Sequence, residues 1–249
     1  MQLHRLLFVV LAALPLAAPA QSGSQGDTWE SIAKLPEVVG LWELTFGGGP
    51  RGGGEPPAFT PTYAARLKSY QEAEARGEIE DGPAANCVPN GMPSIMSQPY
   101  PIEILATPGK VTILIEAYSQ WRQIFTDGRE HPGDPDLTFN GHSIGHWEGE
   151  TLIVDTVGFT TDTALGNFGM RHSDKMRIVE RFRLAAPDRL EIETTITDPE
   201  ALTKPWTATR AYARHADWTL AEYVCQQNNR NFTTDDGKAG IKLEHEVQP

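Results

Sequence analysis

The sequence holds only two cysteines in 249 residues and no Cys-X-X-Cys pair, which excludes a dithiol redox motif. It has no basic run. Its 21 Lys and Arg stand against 33 Asp and Glu, a formal net charge of −12, whereas nucleic acid and anionic membrane both reward clustered cations. No HExxH or other clustered metal-ligand spacing occurs, and no internal repeat of fixed period. Beyond the N-terminus no apolar run approaches the roughly 20 residues of a membrane-spanning helix. What remains is ordinary for a soluble globular chain: 39% apolar and 22% charged residues.

Residues 1–20 read MQLHRLLFVVLAALPLAAPA. Arg5 precedes an apolar run from Leu6 to Leu16, and Ala18-Pro19-Ala20 is a small-residue cleavage signal. This layout predicts a secretory signal peptide cut near Ala20 and a periplasmic or secreted product. In an oxidising compartment Cys87 and Cys225 are expected to form a disulfide, tying the early segment to the last strand, with two separate buried thiols as the alternative.

Residues 21–37 are polar and read as a flexible leader. A first strand is expected over 38–46, then a linker at 47–57. The linker contains GxGxxG at Gly47, Gly49 and Gly52, but Pro50, Pro56 and Pro57 deny the helix a dinucleotide site needs, so no cofactor is implied. A helix is predicted from Pro61 to about Arg76, with proline at a favourable first position. From Pro99 the period changes to two, and strands are expected near 101–107, 110–126, 143–147, 151–159, 175–184, 189–198, 206–215 and 218–226. Short turns and no intervening helices describe an all-β antiparallel meander. Closing the meander into a barrel over 99–232 removes its exposed edges, and a polar tail follows from 233 to 249.

The strand faces give the candidate site residues. In MRIVERFRL, Met176, Ile178, Phe182 and Leu184 share one face, and Glu180 lies in its middle. A carboxylate there must be paired, protonated or hydrated in a cavity; Arg122 and Arg210 are the candidate partners. Asp155 is read on a face with Ile153 and Val157. Glu116, Tyr118, Gln120 and Arg122 are read on one face of a long strand, with Trp121 on the opposite one. Polar groups among apolar walls suit a small-molecule site inside a barrel, with Tyr118, Arg122, Trp147, Arg210 and Tyr212 as ligand-binding candidates. If the cavity performs cofactor-free acid–base chemistry instead, Glu180, Asp155 and His172 are the candidate proton carriers.

His142 and His146 in GHSIGH are four apart. On a strand that spacing is about 13 Å, too far for one shared ion, so no metal site is assigned. Gly141 to Gly145 match GxSxG around Ser143, but strands flank the motif where a hydrolase elbow needs a helix.

The segments EAYSQWRQIFTDGREHP, GHSIGHWEGETLIVDTVGF, HSDKMRIVERFRL, TITDPEALTKPW and EYVCQQNNRN together resemble a family of exported bacterial proteins with a GHSIGxWEGDTLVVDT block. Glu150 stands where that block usually has Asp. The resemblance implies export and a β-rich domain and transfers no catalytic residue. Gly40-Leu41-Trp42 on the first strand is more distantly similar to lipocalin-like calycins. The expectation is therefore a lipocalin-like barrel that binds a small apolar or aromatic molecule in an internal cavity, with an isomerase, hydratase or lyase type of enzyme as the alternative. Neither nucleic acid nor a membrane span is implied, and the oligomeric state stays open.

Overall fold

The computed structural model describes residues 26–45, 55–78, 87–166, 169–225, 231–233 and 239–241. The signal-peptide expectation, most of the glycine-rich linker and much of the polar tail fall outside the described residues.

Nine strands form a closed barrel in which each pairs with the next and the last returns to the first. They are β1 (Gly40–Leu44), β2 (Ile102–Thr107), β3 (Lys110–Ile115), β4 (Gln120–Phe125), β5 (His142–Glu148), β6 (Thr151–Val157), β7 (Arg177–Ala186), β8 (Arg189–Thr197) and β9 (Trp206–Arg214). This is the up-and-down barrel architecture that lipocalins share, and it fulfils the all-β expectation.

Each antiparallel contact reverses the chain direction, so a closed ring must contain an even number of them. Nine strands make nine contacts, and at least one must be parallel. That contact is β4 with β5, limited to Ile124 opposite Ser143 and Phe125 opposite Ile144. The meander is thus antiparallel everywhere else, and residues 126–141 carry the chain back to the end from which β4 began.

Two strand expectations are corrected. The run 110–126 is a hairpin, because Ala117–Ser119 form a tight turn with Tyr118 and Ser119 at positive φ. No Gly or Asn marks this turn in the sequence. It is held instead by the Tyr118 ring against Tyr223 at 5.1 Å and by the Ser119 hydroxyl donating to the Tyr223 carbonyl at 3.0 Å. The run 218–225 is not a strand. The β1–β9 ladder closes the ring, leaving no edge for a further strand to join.

The inner face carries Trp42, Ile102, Ile104, Ile113, Ile124, Val154, Ile178, Phe182, Ile192, Ile196 and Tyr212, all buried. The indole of Trp42 donates to the Val38 carbonyl at 2.8 Å, and Arg214 lies over its ring. Outside the barrel, α1 (Trp29–Ile32) is a single capped turn within the stretch expected as a leader. Helix α2 (Pro61–Ala75) starts on its proline and is rich in Ala and Glu, both good helix formers. Beyond the barrel, β10 (Asn231–Thr233) pairs with β11 (Ala239–Ile241). The bridge between Cys87 and Cys225 is formed.

Candidate functional site

Glu180 on β7 and Arg122 on β4 meet inside the barrel, 1% and 2% exposed. The Arg122 guanidinium donates Nη1 to Glu180 Oε1 at 3.1 Å and Nη2 to Oε2. Nη2 also reaches Thr156 Oγ1 at 2.9 Å, and Ser143 Oγ lies 3.4 Å from both Nε and Nη2. Burying two charges is expensive, and the expense is met only when the fork is filled; here a bidentate carboxylate and two hydroxyls fill it. Of the two cations considered for Glu180, the structure selects Arg122. Ser143, the serine of GxSxG, is a buried strand residue whose hydroxyl is shared with Thr156 at 2.9 Å. It is no exposed nucleophile.

A cavity of about 530 Å³ opens beside this pair. It lies at the β4–β5 seam, in the barrel wall and away from the axis. The parallel ladder there is two residue pairs long, and the space lies beside it, between β4 and residues 132–143. Trp121, Phe125, Pro132, Pro135 and Phe139 supply apolar walls, Gln120, Gln123, Asn140 and His142 supply polar atoms, and Arg122 and Ser143 close the inner end. The outer wall is pinned by backbone bonds. Met92 N–H donates to the Phe139 carbonyl at 2.8 Å and Thr138 N–H to that of Gly158 at 3.0 Å. The first requires Gly91, at positive φ, where a Cβ would lie 2.5 Å from the Phe139 oxygen.

The remaining sequence-chosen residues disperse. Asp155 faces outward, opposite to its expected role inside. Leu152, Val154 and Thr156 take the inner face of β6 by their register with β7, so the alternate residues point away. Asp155 accepts from Arg177 Nε at 2.8 Å and lies 3.7 Å from His131 Nε2. His172 is a buried clamp between loops. Its Nδ1–H donates to the Ser173 carbonyl at 2.8 Å, and its Nε2 meets the Thr163 hydroxyl at 2.6 Å. Burial pushes its pKa below the usual histidine range. Glu180, Asp155 and His172 thus occupy three separate networks.

Tyr118 sits in the β3–β4 turn, its half-buried ring packed against the core and against Tyr223, which also meets Tyr100. Trp147 lies on the inner side of β5, in register with Leu152, its indole N–H buried with no partner among the described residues. Tyr212 is buried and donates to the Met96 carbonyl at 2.6 Å; desolvation raises its pKa. Arg210 is half-buried on the inner face of β9, in register with Ile192, and makes no hydrogen bond or ion pair with a described residue. Only Arg122 among these candidates borders the seam cavity.

A pair the sequence does not reveal stands at the cavity wall. His131 Nδ1 and His142 Nδ1 are 2.9 Å apart. Burial lowers the His142 pKa, and the neighbouring His131 and Arg129 lower it further. The two residues are eleven apart, His131 on the β4–β5 connection, so no local spacing announces the contact. The nearer candidate pair, His142 with His146, is not formed; His146 turns outward to Glu148 at 3.2 Å. Among the described residues no three His, Cys, Asp or Glu side chains converge on a metal site, and no helix is long and apolar enough to cross a membrane.

No family model and no curated protein matches the chain. Among solved structures it is similar to wild-type fluorescent protein UnaG, at 14% identity and a TM-score of 0.33, over 72% of this chain and 98% of that one. It is also similar to a secretary abundant heat soluble protein from Ramazzottius varieornatus, at 12% identity and a TM-score of 0.35, over 72% and 96%.

Proposed function

We propose that this chain is an exported barrel of the GHSIG-block family that binds a small molecule with an aromatic or apolar body in the seam cavity. The cavity itself carries the reading. Its volume of about 530 Å³ lies inside the roughly 300–1,000 Å³ of small-molecule sites, and apolar walls with a few polar atoms are what such sites use. Binding is favoured over acid–base turnover because Glu180 is held by Arg122, and no described histidine contacts it. Export rests on the sequence of residues 1–20 and on the formed disulfide.

Trp121 offers the test. It lines the cavity yet is 59% exposed, so its truncation leaves the core intact. An anilinonaphthalene dye should saturate one site on the wild-type protein. Trp121→Ala should weaken that binding about tenfold or more, as loss of a large aromatic contact implies, with the melting temperature unchanged. Absence of saturable binding, or equal binding by the variant, would overturn the seam as the site.

A further inference from the structure

Asp155, His131 and His142 form a line from the outer face of β6 to the seam cavity. Among the described residues His131 Nε2 is buried without a hydrogen bond, and the carboxylate nearest to it is Asp155, with Oδ2 at 3.7 Å. A lone pair aimed at that carboxylate would be repelled, so the proton of His131 belongs on Nε2. Its Nδ1 is then an acceptor. The 2.9 Å contact between the two Nδ1 atoms admits one proton, which His142 must supply. With Nδ1 of His142 protonated, its Nε2 is left bare. His142 lines the cavity, and its Nε2 has no partner among the described residues. Its ring is fixed from the other side by stacking on Phe125 at 5.5 Å. The lowered pKa of His142, caused chiefly by burial, keeps that ring neutral.

We infer that this proton-ordered line presents the lone pair of His142 Nε2 to the cavity, so that the seam selects phenols over isosteric aromatics that lack the hydroxyl. The inference rests on the seam as the binding site and adds the class of ligand. Trp121 takes the ring of such a ligand, since the Phe125 ring already carries Arg129 at 3.9 Å and His142 at 5.5 Å, and His142 accepts the hydroxyl proton of the ligand in a hydrogen bond. A site built around an acceptor rejects an analogue that leaves the acceptor unpaired. Asp155 and His131 act as positioning residues: they touch no ligand and set the tautomer of the residue that does.

Two measurements test this, at mildly alkaline pH. The first uses the protein alone. Long-range proton–nitrogen-15 correlation spectra should show His142 protonated at Nδ1 and His131 at Nε2, and Asp155→Asn should mix the tautomers of both rings. The opposite order in the wild-type protein overturns the inference whatever the protein binds. The second compares para-cresol with para-xylene, which differ by hydroxyl against methyl. Para-cresol should bind about tenfold tighter, as one hydrogen bond to a partly buried acceptor implies. His142→Phe should erase that preference while para-xylene binds as before. Equal binding of both probes by the wild-type protein removes the phenol selectivity and leaves the seam site standing. Binding of neither probe removes the seam site for aromatic ligands, and the selectivity with it.

Discussion

Arg122 carries five N–H donors on a rigid fork, and the barrel interior supplies Glu180, Thr156 and Ser143 as acceptors. Removing one partner therefore costs far more than removing both. Glu180→Gln keeps the shape but leaves the guanidinium charge buried without its counter-charge, and it should lower stability by about 3–5 kcal/mol. Replacing both residues, Arg122→Met with Glu180→Leu, should recover most of that loss, because apolar groups of similar size need no partners. Urea unfolding of the three proteins checks this, and a double variant as unstable as Glu180→Gln would refute it. The need for a partner was legible in the sequence, since a carboxylate between Ile178 and Phe182 on an apolar face has few alternatives. The choice of Arg122 over Arg210 was not. It depends on which strands face one another across the ring, and the local pattern of either strand carries no trace of that. The same holds for His131 and His142, whose contact is made by a long connection, and for Asp155. Its strand is apolar on both faces, so alternation alone could not say which side was in.

At the scale of elements the period-two faces located most of the strands, because one wet and one dry face leave their mark on every second residue. Pairing leaves no such mark. That one contact must be parallel follows from strand number and closure, properties of the ring as a whole, and it falls at β4–β5. The turn at Tyr118 was hidden because its support comes from Tyr223, over a hundred residues away. The seam that results is the thinnest ladder in the barrel: two residue pairs, against nine between β7 and β8. Local opening should begin there, since protection follows the number of contacts that must break. Amides of Phe125 and Ile144 are expected to exchange faster than those of Phe182 and Ile192. Gly145 sets the closeness of the two strands, because a Cβ there would lie 2.8 Å from the Ile124 side chain. Gly145→Ala should therefore speed exchange at the seam selectively and cost about 1–3 kcal/mol in overall stability. Hydrogen-exchange measurements on both proteins decide it. Uniform acceleration across all strands would show that the seam opens only with the whole barrel.

For the whole molecule, the question is what the bridge between Cys87 and Cys225 holds. Two cysteines behind a signal-like N-terminus made the bridge legible; its duty was not, because residues 218–225 prove to be coil where a last strand was expected. The ring closes through hydrogen bonds between β1 and β9, with Trp42 opposite Arg214 and Leu44 opposite Tyr212. The bridge lies outside that ladder. It joins the segment leading into β2 to the segment leaving β9, across a sequence separation of 138 residues. The departing segment is tied down twice more, by the Ala221 N–H donating to Glu116 Oε2 at 2.8 Å and by the Ser119 hydroxyl donating to the Tyr223 carbonyl at 3.0 Å. Strand pairing is thus complete without the disulfide, whose effect falls mainly on the unfolded chain. A loop of this length loses closure entropy worth about 5 kcal/mol in the chain-entropy account, and measured losses run at roughly 2–5 kcal/mol. Cys87→Ala with Cys225→Ala should therefore lower the melting temperature while leaving the far-ultraviolet β spectrum and dye binding at the seam unchanged. Peptide mapping of the wild-type protein without reductant should show one linked pair. A variant that loses its β spectrum at low temperature would mean that the bridge holds the ring itself. A variant that melts with the wild type would mean that the unfolded chain gains nothing from being cut free.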